Sequence, residues 1–385
     1  MLRTVGVICE YNPFHHGHLT QFRQIRTLFG EDAAIICLMS GNFVQRGECA
    51  VFDKLVRASA AVDCGASLVL ELPVTGALRS AEGFARCGVE ILDALGVEIL
   101  AFGSESGETE NFLRLAAAMD TAEYNAELRA ALASGQSYPA AREAAAKSLH
   151  LPGELLKTPN NILGLEYCKA ALGRRIRPAA LHRAGDYHAP TPDAEAPSAS
   201  SLRAVLEGNG DVSPFVPESA ARRYADAERH FPQYGERAML ARLRGMTPED
   251  WARTAHGSEG LWSLAMRAAQ CCGTLQELES MVKSRRYPMT RVRRLLLCAA
   301  LGLTEDGLNL EIPYVRALAM DGAGRRVLRE MRDLETLPII NAGQTPEDKD
   351  YFELELRAAG LYGLFGEGPV CAAAEQLRRE RIYLK

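Results

Sequence analysis

The sequence has no Cys-x-x-Cys pair, no apolar run approaching the roughly 18 to 20 residues of a membrane span, and no long block of one charge. Each absence removes a class of protein. The ten cysteines are scattered singly or as one adjacent pair through apolar stretches, which points to reduced, mostly buried thiols. The amino-terminal apolar run meets Glu10 almost at once, too early for a secretory signal, so the expected location is the cytoplasm. A formal charge of -5 argues against a surface coated in positive charge, and a polyanion would have to be met by a local patch. What remains is 385 residues, 47% hydrophobic and 24% charged, enough for packed cores in roughly two or three domains.

From Thr4 to Glu105, short β-branched runs alternate with segments of helical period, the pattern of a parallel sheet with crossover helices. Strands are expected over Val5 to Cys9, Ala34 to Met39, Leu68 to Leu72 and Ile99 to Phe102. Helices are expected near His18 to Leu28, Asp53 to Cys64 and Ala81 to Leu95, the last two stopped by Gly65 and Gly96. An alanine-rich helical insertion covers residues 108–150, a further strand Ala179 to Arg183, and a loop with a short helix near Ser198 follows. Beyond it the helical period dominates. The expected division is a catalytic domain over 1–210 and a helical domain over 211–385.

The first strand runs into Glu10-Tyr11-Asn12-Pro13-Phe14-His15-His16-Gly17-His18, where a helix begins. A helix start offers unpaired N–H groups and partial positive charge to a phosphate, and Gly17 removes the side chain that would keep one off the backbone. His15 and His18, three residues apart, can share one side of that turn and donate to phosphate oxygens as pyrophosphate departs. A His pair elsewhere would more often simply cap a helix, and a metal needs more ligands than these. Directly after the first strand of a βαβ unit, His-x-Gly-His is the signature of the nucleotidyltransferase superfamily that includes class I aminoacyl-tRNA synthetases. Ser198-Ala199-Ser200-Ser201-Leu202-Arg203 fits the second phosphate motif of that superfamily, with hydroxyls at a helix start and Arg203 one turn in.

The ordered set EYNPFHHGH, SGNFVQRGE, LELP, SAEGFA, FGSE, PNNILGLEY, SASSLR, SRRYPMTRVRR and PYVRALAMDGAGRRVL resembles the tRNA(Met) cytidine acetate ligase family over nearly the whole chain. The resemblance implies a Rossmann-like (HUP-type) α/β fold with a parallel-sheet nucleotidyltransferase domain followed by a mainly helical C-terminal domain. It implies two steps: ATP and acetate give acetyl-adenylate and pyrophosphate, and the acetyl group then passes to N4 of the wobble cytidine of elongator tRNA(Met). ATP would be a substrate accompanied by Mg2+, held largely by phosphates and water, with no dedicated metal ligands and no membrane partner. Carried over by position, the ATP site takes in Ile8, Cys9, Glu10, Tyr11, Asn12, Pro13, Phe14, His15, His16, Gly17, His18, Leu19 and Thr20. Gly103, Asn161 in preference to Asn160, and Arg183 follow, with Ser198, Ser200 and Arg203 at the second motif. His15 and His18 are the expected catalytic pair. The sequence departs from the family at His16, a variable place, and at Ser67, where an acidic residue is usual.

Arg46, on a loop with Gly41, Asn42 and Gln45 beyond the second strand, and Lys54, at the start of the next expected helix, are candidates for phosphate or tRNA contact, or for surface ion pairs with Glu48 or Asp53. Glu71 and Glu105 end strands, and each could hold a metal, accept a proton or only accept hydrogen bonds. In the second half, Lys283, Arg285, Arg286, Arg291, Arg293 and Arg294 stand together without an acidic residue, a place for an RNA backbone with Tyr287 free to stack on a base. Arg174, Arg175 and Arg177 would widen that surface, and the run from Arg378 to Lys385 is a further candidate. Two other readings share the motifs: a small-molecule adenylyltransferase making a dinucleotide-type cofactor, and an RNA-binding protein with a vestigial nucleotide fold.

Overall fold

The computed structural model describes residues 2–183, 197–370, 372, 377 and 379–385. Most of the loop expected after Arg183, together with Cys371 and Arg378, lies outside them. The nine cysteines described are all free thiols.

The elements follow in order: β1 (Thr4–Cys9), α1 (His16–Phe29), β2 (Ala34–Ser40), a hairpin of β3 (Phe43–Val44) and β4 (Glu48–Cys49), α2 (Lys54–Asp63), β5 (Leu68–Leu72), a short α3 (Val74–Ala77), α4 (Ala81–Ala94) and β6 (Ile99–Ser104). The insertion forms α5 (Thr109–Met119), α6 (Ala122–Ala133) and α7 (Tyr138–Ser148), and α8 (Pro159–Ala171), β7 (Arg177–His182) and α9 (Ala199–Glu207) complete the first half. Then come α10 (Glu218–Tyr224), α11 (Pro232–Arg244), α12 (Pro248–Arg253), α13 (Leu261–Cys271), α14 (Leu275–Val282), α15 (Met289–Leu301) and α16 (Glu305–Leu308). The chain ends with β8 (Val315–Met320), α17 (Gly322–Asp333), β9 (Ile339–Asn341), α18 (Lys349–Gly363) and β10 (Tyr383–Leu384).

Among the described residues the main sheet has the order β10-β8-β5-β2-β1-β6-β7, with β9 paired to β8. Strands β1, β2, β5, β6 and β7 run parallel, so their carboxyl ends meet at one edge. Alternation sorts the strand residues into two layers. Val5, Val7, Ile35 and Cys37 pack under one set of helices, and Ile8, Ile36, Leu38 and Leu70 under the other. A third core joins α11 to α15 and takes in Phe43 and Cys49, so the hairpin belongs as much to the helical part as to the sheet.

The expected division at 210 needs revision. Strand β8 lies antiparallel on β5, and β9 and β10 extend the sheet from β8, so the last seventy or so residues return to the first half's sheet. The helical unit proper is α11 to α16, an excursion between α10 and β8. Ser67 sits at the start of β5, away from the carboxyl edge: its Oγ accepts from the Ile35 N–H at 3.3 Å, and its carbonyl accepts from the Asp321 N–H at 3.0 Å. Its work is to join β2, β5 and the turn after β8.

Candidate active site

The turn after β1 is built to present two imidazoles. His15 is the N-cap of α1, and its Nδ1 accepts from the Gly17 N–H at 3.1 Å. The His18 Nδ1 in turn accepts from the His15 N–H at 3.2 Å, closing a reciprocal capping box. With both Nδ1 atoms accepting, the ring protons sit on the Nε2 atoms, and each His is a neutral donor there. The rings stack with centroids 3.7 Å apart, backed by Tyr11 and Phe14. Burial pulls the pKa of His15 down to about 3, and nearby Arg183 pushes in the same direction; burial, His15 and Arg183 hold His18 well below its ordinary value too. A β-carbon added at Gly17 would stand 3.0 Å from the His15 ring, so a side chain here would press on the ring and shift it by a few tenths of an ångström.

A cavity of about 620 Å³ opens at this edge of the sheet. Its wall includes Ile8, Cys9, Glu10, Tyr11, Asn12, His15, Gly17, His18 and Thr20, with Gly103, Arg183 and Arg46. Pro13, Phe14, His16 and Leu19 are not on it; Phe14 is wholly buried behind the histidines, where its N–H donates to the Tyr224 hydroxyl at 3.0 Å. An alanine at 103 would set its methyl 3.9 Å from the Arg183 side chain, an ordinary contact, so packing against the protein does not by itself demand glycine there.

Of the two neighbouring asparagines, Asn160 lines the cavity, while Asn161 is buried with its Oδ1 accepting from Ser104 Oγ at 2.8 Å and from the Glu105 N–H at 3.2 Å. Of the pair it is therefore Asn160, not the expected Asn161, that stands on the wall, and Asn161 braces the FGSE turn. At the second motif, Ala199 is on the wall, whereas Ser198 Oγ caps α9 through the Ser201 N–H and lies 3.1 Å from Ser200 Oγ. Arg203 donates to the Asn12 carbonyl at 3.1 Å and pairs with Glu48 at 3.5 Å, so it ties the second motif to the first.

Several residues on the wall or beneath it were not among the expected site residues, although Phe84, Phe102 and Tyr167 lie in the SAEGFA, FGSE and PNNILGLEY words. Phe84, Phe102 and Tyr167 form its apolar part, and Gln24 and His182 its far rim. Arg57 is fully buried under the edge, donating to the carbonyls of Phe52, Glu10 and Ser40 at 2.8, 2.6 and 3.1 Å, and to that of Gly41. A lone arginine in a helix carries no mark of such a role. Glu10 is held above its ordinary carboxylate pKa by burial, against the opposing pull of the Gln45 N–H, Arg203 and Arg46.

The two strand-end carboxylates left open above are both engaged. Glu105 accepts from Thr158 Oγ1 at 2.8 Å and Asn160 Nδ2 at 2.7 Å. Glu71 pairs with Lys54 at 2.9 Å, and Lys54 also meets Glu380 at 3.2 Å. Lys54 is only 5% exposed, so it cannot touch a tRNA; its ion pairs lie inside the protein rather than with Asp53 at the surface.

The basic run in the helical unit divides. Lys283, Arg285 and Arg286 are exposed. Arg291 bonds Ser258 and Glu259, Arg293 pairs with Glu279 at 3.0 Å and with Glu48 of the hairpin, and Arg294 is buried at the cavity wall. Arg293 and Arg294 are thus withdrawn from the expected RNA surface because their side of α15 packs on the hairpin. Tyr287 is also buried, its hydroxyl donating to the Glu259 carbonyl at 2.6 Å, and has no free face for a base. Arg174, Arg175 and Arg177 lie at the start of β7, at the opposite edge of the sheet from the cavity, so they do not extend the same surface.

A sheet of parallel strands whose first turn presents a stacked His-x-Gly-His pair to a cavity at the carboxyl edge defines a nucleotidyltransferase, and the family model for the HIGH nucleotidyl transferases matches residues 2–376. The chain belongs to that family. Within it, the chain is 34% identical to the tRNA(Met) cytidine acetate ligase of Acetivibrio thermocellus, covering all of both chains, and 32% identical to that of Lysinibacillus sphaericus over 96% of each. It is similar along its whole length to the crystal structure of Thermotoga maritima TmcAL bound with alpha-thio ATP, at 30% identity and a TM-score of 0.88. The chain is a member of the tRNA(Met) cytidine acetate ligase family.

Proposed function

We propose that the chain activates acetate with ATP and transfers the acetyl group to N4 of the wobble cytidine of elongator tRNA(Met), forming N4-acetylcytidine. The observation that carries this reading is the pair of neutral imidazoles at the start of α1, whose Nε2–H groups share a cavity with Arg183. Neutral donors and a helix start stabilise charge building on a departing pyrophosphate without forming a covalent bond to it. In the first step an acetate oxygen bonds to the α-phosphorus as the bond to the β-phosphate oxygen breaks. In the second, the cytidine amine bonds to the acetyl carbon, AMP leaves with the electron pair, and the amine loses a proton.

Magnesium belongs to this chemistry as a companion of ATP and would supply further charge on the phosphates. Among the described residues no group of three or more His, Cys, Asp and Glu could hold a metal, and Glu10 is the carboxylate on the cavity wall.

The tRNA would lie on the helical unit, where Lys283, Arg285 and Arg286 are exposed. No helix among the described residues is long and apolar enough to cross a membrane, and we assign the protein to the cytoplasm on the strength of its tRNA substrate. The comparisons do not favour an adenylyltransferase that makes a dinucleotide-type cofactor. Mass analysis of nucleosides from tRNA(Met) incubated with the protein, ATP and labelled acetate tests the reading: label in N4-acetylcytidine is expected, and its absence with labelled product elsewhere would refute it.

A further inference from the structure

The helical unit reaches the nucleotide cavity through two residues one turn apart on α15, Thr290 and Arg294. Arg294 is 7% exposed, and no carboxylate lies within ion-pair distance of it among the described residues. Its Nη1 donates to the Gln45 carbonyl at 3.2 Å, and its Nε, also buried, has no hydrogen-bond partner among them. Burial lowers its pKa to about 10, with only Cys298 acting in the other direction. Every other arginine of this run with a side chain facing inward has an acidic partner: Glu259 for Arg291, Glu48 and Glu279 for Arg293. A buried guanidinium that reaches a cavity wall without a carboxylate partner is matched to an anion that enters the cavity.

Gln45 ties this wall together. Its N–H donates to Glu10 at 2.8 Å, its carbonyl accepts from Arg294, and its side-chain amide reaches the Arg79 carbonyl at 3.5 Å, just before α4 begins. From α4, Ala81 and Phe84 face the same cavity. The neighbourhood thus combines Arg294 with small or apolar side chains and the neutral Thr290, with Arg46 and Glu10 next along the wall on the other side of Gln45. A phosphate with two negative charges calls for several donors, as the α1 turn and Arg183 supply across the site, whereas a small monocarboxylate is matched by a single planar fork beside an apolar wall.

We infer that Arg294 binds the carboxylate of the acid substrate, with Ala81 and Phe84 beside its methyl group, so that the helical unit completes the site for adenylate formation before any tRNA arrives. The inference rests on the proposed activation of acetate. One carboxylate oxygen stays on the guanidinium while the other attacks the α-phosphorus.

The test is acetate-dependent ATP–pyrophosphate exchange without tRNA, measured for the wild type, Arg294→Ala and Arg294→Lys, with thermal unfolding to establish that each is folded. Loss of a charge-assisted pair should raise KM for acetate about 10- to 100-fold in Arg294→Ala, with KM for ATP within about twofold of wild type. Arg294→Lys, which retains charge but not the fork, should also raise it, and carries the test if the alanine variant does not fold. A rise in KM for ATP with that for acetate unchanged would overturn the inference in favour of a phosphate. Unchanged exchange with lost tRNA acetylation would overturn it in favour of RNA. A wild type with no acetate-dependent exchange would refute the proposed function itself.

Discussion

The Nδ1 of His18 accepts a hydrogen bond from the backbone N–H of His15, 3.2 Å away, so the first residue of the His-x-Gly-His turn fixes the tautomer of the last. The same relationship has a cost in acid. The unfolded chain takes up a proton on His15 below about 6.5, while in the folded protein burial holds that pKa at about 3. Stability present above about pH 6.5 is therefore lost progressively as pH falls toward 3.

For His15 alone the loss at about pH 5 is on the order of 2 kcal/mol. Urea unfolding of the wild type and of His15→Asn at about pH 7 and 5 checks it. The wild type should lose more stability than the variant over that interval, and equal losses would remove His15 as the source.

Arg57 holds the ends of β1 and β2 through three carbonyls and the approach to its own helix through a fourth, that of Phe52. Arg57→Leu would leave them buried without donors, at about 1–3 kcal/mol for each carbonyl that finds no water. A fall of at least about 3 kcal/mol in unfolding free energy is expected. A loss below about 1 kcal/mol would show that the edge does not depend on this side chain.

Lys54→Met separates structure from RNA binding. It strands Glu71 and Glu380, and breaking one partner out of such a buried group typically costs about 3–5 kcal/mol. Burial would by itself lower the Lys54 pKa, but Glu380 and Glu71 hold it above the ordinary value, consistent with a charged lysine between them. Denaturant midpoints should fall, and the tRNA Kd of the folded protein should stay within about twofold.

Lys283, Arg285 and Arg286 form the exposed basic run of the loop between α14 and α15. Replacing all three with Ala should weaken tRNA binding and reduce the slope of log affinity against log salt, leaving acetate-dependent exchange at its original rate. Filter binding across a salt series reads this, and an unchanged slope would move the RNA surface elsewhere.

Much of this architecture is legible in the residues because β1, β2, β5 and β6 are short apolar runs followed by glycine or by helical period. Strand β8 escaped. Val315–Met320 is six buried residues with Arg316 among them, a run too short and too uniform to tell from buried helix by periodicity. Strand β10 is two residues long and has no pattern. At the site, His15, His18 and Gly17 are recognisable because their roles are local to one turn. The roles of Arg57, Lys54, Arg293 and Arg294 depend on which side of a helix faces a distant element. Charge is visible in a sequence, but that orientation arises only when α2 meets the sheet and α15 meets the hairpin.

The central claim is that the stacked histidines serve adenylate formation, and acetate-dependent ATP–pyrophosphate exchange by His18→Ala tests it most directly. Removing one such donor typically costs about 10²- to 10³-fold in rate, and a loss of that size is the predicted result in a variant that unfolds at the wild-type temperature. Exchange near the wild-type rate in that folded variant would contradict the account.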